Sequence, residues 1–167
     1  ADLVKRSPRR FIYVGRVVKQ KRVIELVANI LTKLTGDWHL DIVGGSTEKD
    51  VGMQLDDVIK DNHLEEKITV HGWQTAPWTR VNEAGVLLLN SSYEGLPLVL
   101  LEAMVRGIPC VSADCPVGPA DIVQNDINGW LYEMNNKKAC VDILQGIIDE
   151  KTQLPSEEQV QKSVEKF

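Results

Sequence analysis

Nothing in the 167-residue sequence approaches the roughly 20 consecutive apolar residues of a membrane-spanning helix, and no signal-peptide pattern opens it. Cysteine is scarce. Cys110, Cys115 and Cys140 are odd in number and lack metal-ligand spacing. That argues against a disulfide framework or a zinc site, and for packed, reduced thiols in a cytoplasmic setting. The G-x-G-x-x-G fingerprint of dinucleotide-binding turns is missing, because Gly15 stands alone after the first apolar run, so a dehydrogenase is not expected. No Asp-x-Asp pair is present to hold a divalent ion, and neither a metal nor a resident cofactor is expected. Internal repeats and low-complexity segments are absent too.

What is present describes a globular chain. With 43% hydrophobic and 26% charged residues, there is apolar material for one full core. The length suits a single domain, or a piece of a larger enzyme cut at a domain boundary. The formal net charge is −5, yet nine of the nineteen basic residues fall in the first 33 positions, opposed there only by Asp2 and Glu25. A basic start on an acidic chain points to a local anionic partner and not to nucleic acid. Residues 1–10, with Lys5, Arg6, Arg9 and Arg10, read as an interdomain linker, and 11–167 as the folded domain.

Short apolar runs at 11–15, 38–43, 68–71, 86–90, 108–112 and 130–132 read as strands. Helical spacing appears between them. At 21–34, Val23, Ile24, Val27, Ile30, Leu31 and Leu34 share a face, and Gly36 closes the helix. Further helices are expected at 51–62 with Ser46 or Thr47 as cap, at 78–84, 97–107, 118–124 and 137–148, and from Ser156 onward. Apolar strands alternating with helices imply a doubly wound, Rossmann-like α/β fold: a parallel sheet of about six strands covered on both faces. Ligands in such sheets sit outside the carboxyl ends of the strands. The unusual residues cluster at those ends: Gly15-Arg16, Gly44-Gly45, His71-Gly72-Trp73, 91–95 and 114–118.

The stretch 87–109 concentrates the chemistry. An apolar strand ends in Asn90-Ser91-Ser92-Tyr93-Glu94-Gly95-Leu96, and a helix follows, opening at Pro97 and closing at Gly107. That helix is apolar almost all the way round and is expected to be buried. Glu102 interrupts it, eight residues after Glu94. A charge inside such a run needs a ligand, an internal salt bridge such as one to Arg106 at i+4, or a surface position. The N–H groups of Gly95 and Leu96, at the helix start, suit phosphate or sugar oxygens. Arg16 and Lys21, five apart around the turn after the first strand, are cations suited to gripping a diphosphate.

These motifs identify a resemblance. Val14-Gly15-Arg16 with Lys21, Ile42-Val43-Gly44, His71-Gly72-Trp73, the run from Ser91 through Pro97 with Leu101-Glu102-Ala103-Met104, Gly107-Ile108-Pro109-Cys110-Val111-Ser112 and Asn128-Gly129-Trp130-Leu131 cover about 11–132. In that order they resemble the C-terminal, donor-binding half of retaining glycosyltransferases of the two-domain GT-B fold. Gly72-Trp73-Gln74-Thr75-Ala76-Pro77-Trp78 and Asp114-Cys115-Pro116-Val117-Gly118-Pro119 are similar to the lipopolysaccharide-core 1,6-galactosyltransferases within that family, which use UDP-galactose.

The resemblance implies that Arg16 and Lys21 bind and stabilise the departing diphosphate, and that Glu94 contacts the transferred sugar. It implies that Glu102 accepts from the ribose hydroxyls, that backbone at Gly15, Gly95 and Leu96 lines the phosphates and sugar, and that Gly72 and Trp73 border the uracil. Arg16, Lys21 and Glu94 are thus the expected catalytic set. A saccharide or lipopolysaccharide acceptor would be held by an N-terminal domain not represented here, so this piece alone would bind nucleotide without turnover. Peripheral contact with the cytoplasmic face of the inner membrane is implied as well.

Two departures stand out: Arg22 follows the lysine where the family usually has Gly, and the connection 78–85 is shorter by about one helical turn than the resemblance implies. The alternatives are a nucleotide-sugar epimerase or phosphorylase half-domain, and a non-catalytic nucleotide-binding module.

Overall fold

The computed structural model describes residues 2–167. Six strands form one all-parallel sheet: β1 (Lys5–Val14), β2 (His39–Val43), β3 (Ile68–Gly72), β4 (Glu83–Leu89), β5 (Cys110–Asp114) and β6 (Gly129–Glu133), in spatial order β3-β2-β1-β4-β5-β6. The helices are α1 (Val23–Asn29), α2 (Lys49–Asp61), α3 (Leu98–Met104), α4 (Pro119–Ile122), α5 (Lys137–Ile148) and α6 (Glu157–Ser163). The expected Rossmann-like architecture is therefore present. Strand order reverses between β1 and β4, which places the topological switch point there.

Alternation along the strands builds two cores, one on each face of the sheet. Phe11, Tyr13, Leu40, Ile42, Val86 and Leu88 pack against α1, α2 and α5. Ile12, Val14, Val43, Leu87 and Leu89 pack against α3 and α6. The three cysteines are buried and free within this packing, as expected. Burial pushes the Cys110 thiol up and raises that of Cys140 to about 12, so both stay neutral.

Several boundaries differ from the sequence reading. β1 begins at Lys5 and not at Phe11, so most of the stretch read as a linker joins the sheet, Lys5 opposite Glu83 and Arg6 opposite Ala84. Pro8 and the run of cations hid it. The register of β1 against β4 shifts between Arg6 and Phe11, and this bulge absorbs the missing proline N–H. Gly85 sits beneath it, where a Cβ would lie 2.4 Å from the Pro8 carbonyl oxygen. Arg6 is a structural cation: its guanidinium donates to the carbonyls of Pro155 (2.6 Å) and Gly107 (3.1 Å) and pairs with Glu157 at 3.1 Å.

The helix expected over 21–34 is broken into a 3-10 turn at Lys19–Lys21, α1, and a second 3-10 turn at Leu31–Lys33. Glu48, not Ser46 or Thr47, occupies the N-cap of α2. The short helical piece at 78–84 contracts to a single 3-10 turn, Pro77–Arg80, before β4 begins. β3 is an edge strand with Thr69, Val70 and His71 exposed, so it is not apolar throughout. Ser156 caps α6 as expected, its hydroxyl accepting from the Gln159 N–H at 3.2 Å.

At the carboxyl ends of β1 and β2 the two chains run close together. Gly15 N–H donates to Val43 O (3.1 Å) and Val17 N–H to Gly45 O (2.9 Å). A Cβ on Gly44 would fall 1.7 Å from the Gly15 carbonyl oxygen, so Gly44→Ala must push these backbones apart. The substitution is expected to cost about 2–3 kcal/mol or more in urea unfolding. Gly95→Ala meets nothing within 4 Å; it is expected to stay within about 0.5 kcal/mol of the parent.

Candidate functional site

The connection after β1 is a tight loop with little regular structure. The Tyr13 hydroxyl donates to the Arg16 carbonyl at 2.5 Å, and Lys21 N–H closes the 3-10 turn onto Val18 O. Arg22 then takes a left-handed conformation (φ 50°, ψ 42°). Its side chain reaches Asn135 at 3.1 Å, and its carbonyl accepts from Asn90 Nδ2 at 3.3 Å. Across the switch point, the turn after β4 is held from two sides. Gln20 Nε2 donates to Tyr93 O (2.8 Å) while Ser92 N–H donates to Gln20 O (3.0 Å). On the other side Glu94 N–H donates to Pro116 O (2.7 Å), and Val117 N–H to Glu94 O (3.2 Å). Gly118 allows this approach, with φ +103° and a missing Cβ that would lie 2.6 Å from Pro97 Cδ.

One contact joins the two loops directly. Lys21 Nζ lies 2.7 Å from Glu94 Oε2, and Ser91 Oγ donates to the same oxygen at 2.6 Å. Glu94 is only 7% exposed. Its charge reaches neighbours: burial first, then Glu94, pushes the Tyr13 phenol and the Cys115 thiol upward.

Gly15, Arg16, Lys21, Glu94, Leu96 and Glu102 line one cleft of about 320 Å³ at the switch point. Gly95 lies in the same turn, and the N–H groups of Gly95 and Leu96 have no acceptor among the described residues. Gly72 and Trp73 do not line the cleft. Trp73 stands at the end of β3, 73% exposed, with its Cβ against Gly45, so it is not a core residue.

Of the two glutamates it is Glu94 that is buried, while Glu102 takes the surface position that was one of its alternatives. α3 spans seven residues and keeps an open stripe of Leu98, Glu102 and Val105, so Glu102 is exposed and faces the cleft. Arg106 is not its ion-pair partner. That guanidinium donates to the Glu102 carbonyl (2.7 Å) and stacks over the Trp78 ring at 4.5 Å. The Glu102 carboxylate has no partner among the described residues, and neither has the exposed Arg16 guanidinium. Sequence reasoning did not foresee Ser91 as the second partner of Glu94, or Tyr13, Pro77 and Val99 in the cleft wall. The Pro77 signal was available in its Trp73–Trp78 motif.

A second unforeseen group is a polar network across β1, β2 and β3, below the His71-Gly72-Trp73 turn. Asp41 accepts from Arg10 Nε at 2.9 Å, and His71 Nε2 and His39 Nε2 lie 2.9 and 3.3 Å from its other oxygen. Burial alone would raise the Asp41 carboxyl, but the hydrogen bonds from His71 and Arg10 and the charges of Arg10 and His39 hold it below its ordinary value. A carboxyl lowered on folding contributes stability that is full above its unfolded value, near 3.8, and is lost as pH falls through the lower folded value. Asp41→Asn is therefore expected to lower stability at neutral pH while making the decline below about pH 4 shallower, as read in urea titrations at stepped pH.

Removing Lys21 leaves the buried Glu94 carboxylate with Ser91 alone, and removing Glu94 leaves the Lys21 ammonium without its carboxylate. A double-mutant cycle with Lys21→Met and Glu94→Gln is expected to give a coupling of about 2–3 kcal/mol in unfolding. Additivity within about 0.5 kcal/mol would show that the pair is not coupled.

The chain matches the family described as "Glycosyl transferases group 1" over residues 2–167. It is 37% identical to the lipopolysaccharide 1,6-galactosyltransferase of Escherichia coli (strain K12), over 94% of this chain and 44% of that protein. The chain thus spans less than half the length of that relative. The structure superposes on the apo lipopolysaccharide outer core galactosyltransferase WaaB with a TM-score of 0.91 and 32% identity, covering 99% of this chain and 48% of that one. It also superposes on an S. aureus TarM variant in complex with Fondaparinux, α-GlcNAc-glycerol and UDP, with a TM-score of 0.75 and 25% identity, over 93% and 30% of the two chains. On the full-length family match and the close GT-B half-domain superposition, this chain belongs to the group 1 glycosyltransferases, as a C-terminal domain of that family.

Proposed function

We propose that the chain is the nucleotide-sugar-binding half of a retaining hexosyltransferase that takes UDP-galactose and passes the hexose to a sugar of the lipopolysaccharide core. The observation that carries this reading is the uncommitted chemistry of one cleft. The Arg16 guanidinium, the Glu102 carboxylate and the Leu96 N–H share it, with the Gly95 N–H in the same turn, and none of the four has a partner among the described residues. Cation, amide and carboxylate match the diphosphate and vicinal hydroxyls of a nucleoside diphosphate. The identity to the E. coli 1,6-galactosyltransferase supports galactose, and the UDP in the S. aureus complex supports uridine.

In this reading Arg16 and Lys21 bind the diphosphate, with backbone at Gly15, Gly95 and Leu96 beside it. Glu102 accepts from the ribose, Glu94 from the hexose, and Gly72 and Trp73 border the base. As the bond from the anomeric carbon to the phosphate oxygen breaks, its electron pair leaves on UDP, the acceptor hydroxyl oxygen bonds that carbon on the same face, and the hydroxyl proton passes to the departing phosphate. Its growing charge meets Arg16, Lys21 and the turn N–H groups. One such preorganised donor contributes about 3 kcal/mol to a transition state. The Lys21–Glu94 pair sets the ammonium in place beforehand, and a sugar hydroxyl approaching Glu94 enters an existing hydrogen-bonded group. The acceptor is held largely by a further domain, and the whole enzyme works at the cytoplasmic face of the inner membrane. Among the described residues, no helix is long and apolar enough to cross a membrane.

Calorimetry with UDP, UDP-galactose, UDP-glucose and ADP-glucose tests the assignment. Uridine ligands are expected to bind more tightly than ADP-glucose. Arg16→Ala and Glu102→Ala are each expected to weaken UDP about tenfold, the loss of one charged hydrogen bond. Tighter binding of ADP-glucose, or UDP affinity untouched by both substitutions, would overturn the reading. The chain by itself is expected to transfer no sugar to added acceptor, and turnover by it would refute the division of labour between two domains.

A further inference from the structure

The cleft at the switch point has a neighbour. On the far side of the 16–22 loop lies a second groove of about 600 Å³, lined by Arg16, Gln20, Thr47, Glu48, Ser92 and Tyr93 among others. Its size is that of a small-molecule site, about 300–1,000 Å³. Arg16 belongs to the walls of both cavities, and Ser92 and Tyr93 immediately precede Glu94.

The groove is built from three connections, after β1, β2 and β4, tied together by hydrogen bonds. Gln20 Nε2 donates to Tyr93 O (2.8 Å), Ser92 Oγ to Gln20 O (3.2 Å), and Lys19 N–H to Glu48 Oε1 (2.8 Å). These bonds hold an open shape in place. Charge does not mark it as a phosphate site: Arg22 is answered by Glu25 at 3.4 Å, and Glu48 stands beside Lys19. What remains is the second N–H and the oxygen of the Gln20 amide, the Thr47 hydroxyl, the second oxygen of Glu48 and the Arg16 guanidinium around Tyr93, which is 58% exposed. Donors and acceptors together beside one aromatic side chain suit a polyhydroxylated ring, whose hydroxyls pair with the polar groups while its C–H face lies on the ring.

We propose that this groove is an acceptor-saccharide subsite contributed by the donor half itself. The inference rests on the proposed function: a sugar here lies next to the hexose assigned to Glu94, with Arg16 between the acceptor and the departing diphosphate. Tyr93 is the platform, and Gln20, Thr47 and Glu48 supply orienting hydrogen bonds.

Saturation-transfer NMR on the 167-residue chain tests it, with maltose and melibiose as probes, with and without saturating UDP. The expected result is transfer to disaccharide protons that persists when UDP is bound. Tyr93→Ala is expected to reduce it about fivefold to tenfold, the loss of one aromatic contact. Thr47→Trp, which fills the groove without removing a hydrogen bond of the loops, is expected to abolish it. UDP affinity should stay within about twofold in both variants, since neither side chain contacts the proposed donor. No saccharide signal, a signal displaced by UDP, or one undiminished in both variants overturns the subsite while leaving the donor reading standing. Failure of UDP itself to bind overturns the donor reading, and the acceptor role with it.

Discussion

The buried contact between Lys21 and Glu94 is the constraint on which the site depends. It joins the loop after β1 to the turn after β4, the two segments flanking the reversal of strand order. A carboxylate this deep is stable only while its partners stay in place, so the loops cannot drift apart without stranding a charge. The flanking hydrogen bonds between Gln20, Ser92 and Tyr93 act in the same direction, and the 116–118 segment braces the turn from behind. The result is a cleft whose shape is fixed before any ligand arrives, which is how preorganised sites reduce the cost of binding.

Around that fixed pair the remaining charges divide by exposure. Arg16 and Glu102 are exposed and have no side-chain partner among the described residues; Arg6 and Asp41 are committed to structure. The Asp41 network with Arg10, His39 and His71 ties β1 to the edge strand β3, on which the exposed Trp73 turn depends for its position. Arg22 shows the same logic in the backbone. The family usually places Gly after the lysine, and here φ is +50°, a conformation that Gly adopts freely and other residues reach at a cost of about 1–2 kcal/mol. The contacts of the Arg22 side chain with Asn135 and Glu25 offset part of that cost.

The fold was legible in the sequence because its signals are local and repeated. Apolar runs of strand length, each followed by a glycine turn and helical spacing, can hardly make anything but a covered parallel sheet. The motif residues lie at the strand ends, and six of the nine expected donor-binding residues line one cleft. Where the reading failed, a tertiary contact overrode a local signal. The Pro8 run is a strand because a bulge and Gly85 make room for it. The helix over 21–34 is broken at Arg22, directly after the Lys21 that pairs with Glu94, and again at Ile30.

The sequence by itself determined the class of fold and the gathering of its unusual residues at the strand ends, since spacing and composition are properties of the chain. Only the tertiary structure decided which glutamate is buried. An apolar run around Glu102 suggested that its charge was the hidden one, yet α3 turns Leu98, Glu102 and Val105 outward. Glu94, in a polar turn, is instead enclosed by Lys21, Ser91 and the 116–118 segment. Burial depends on what packs against a residue from elsewhere in the chain, and the partner of Glu94 comes from 73 positions away.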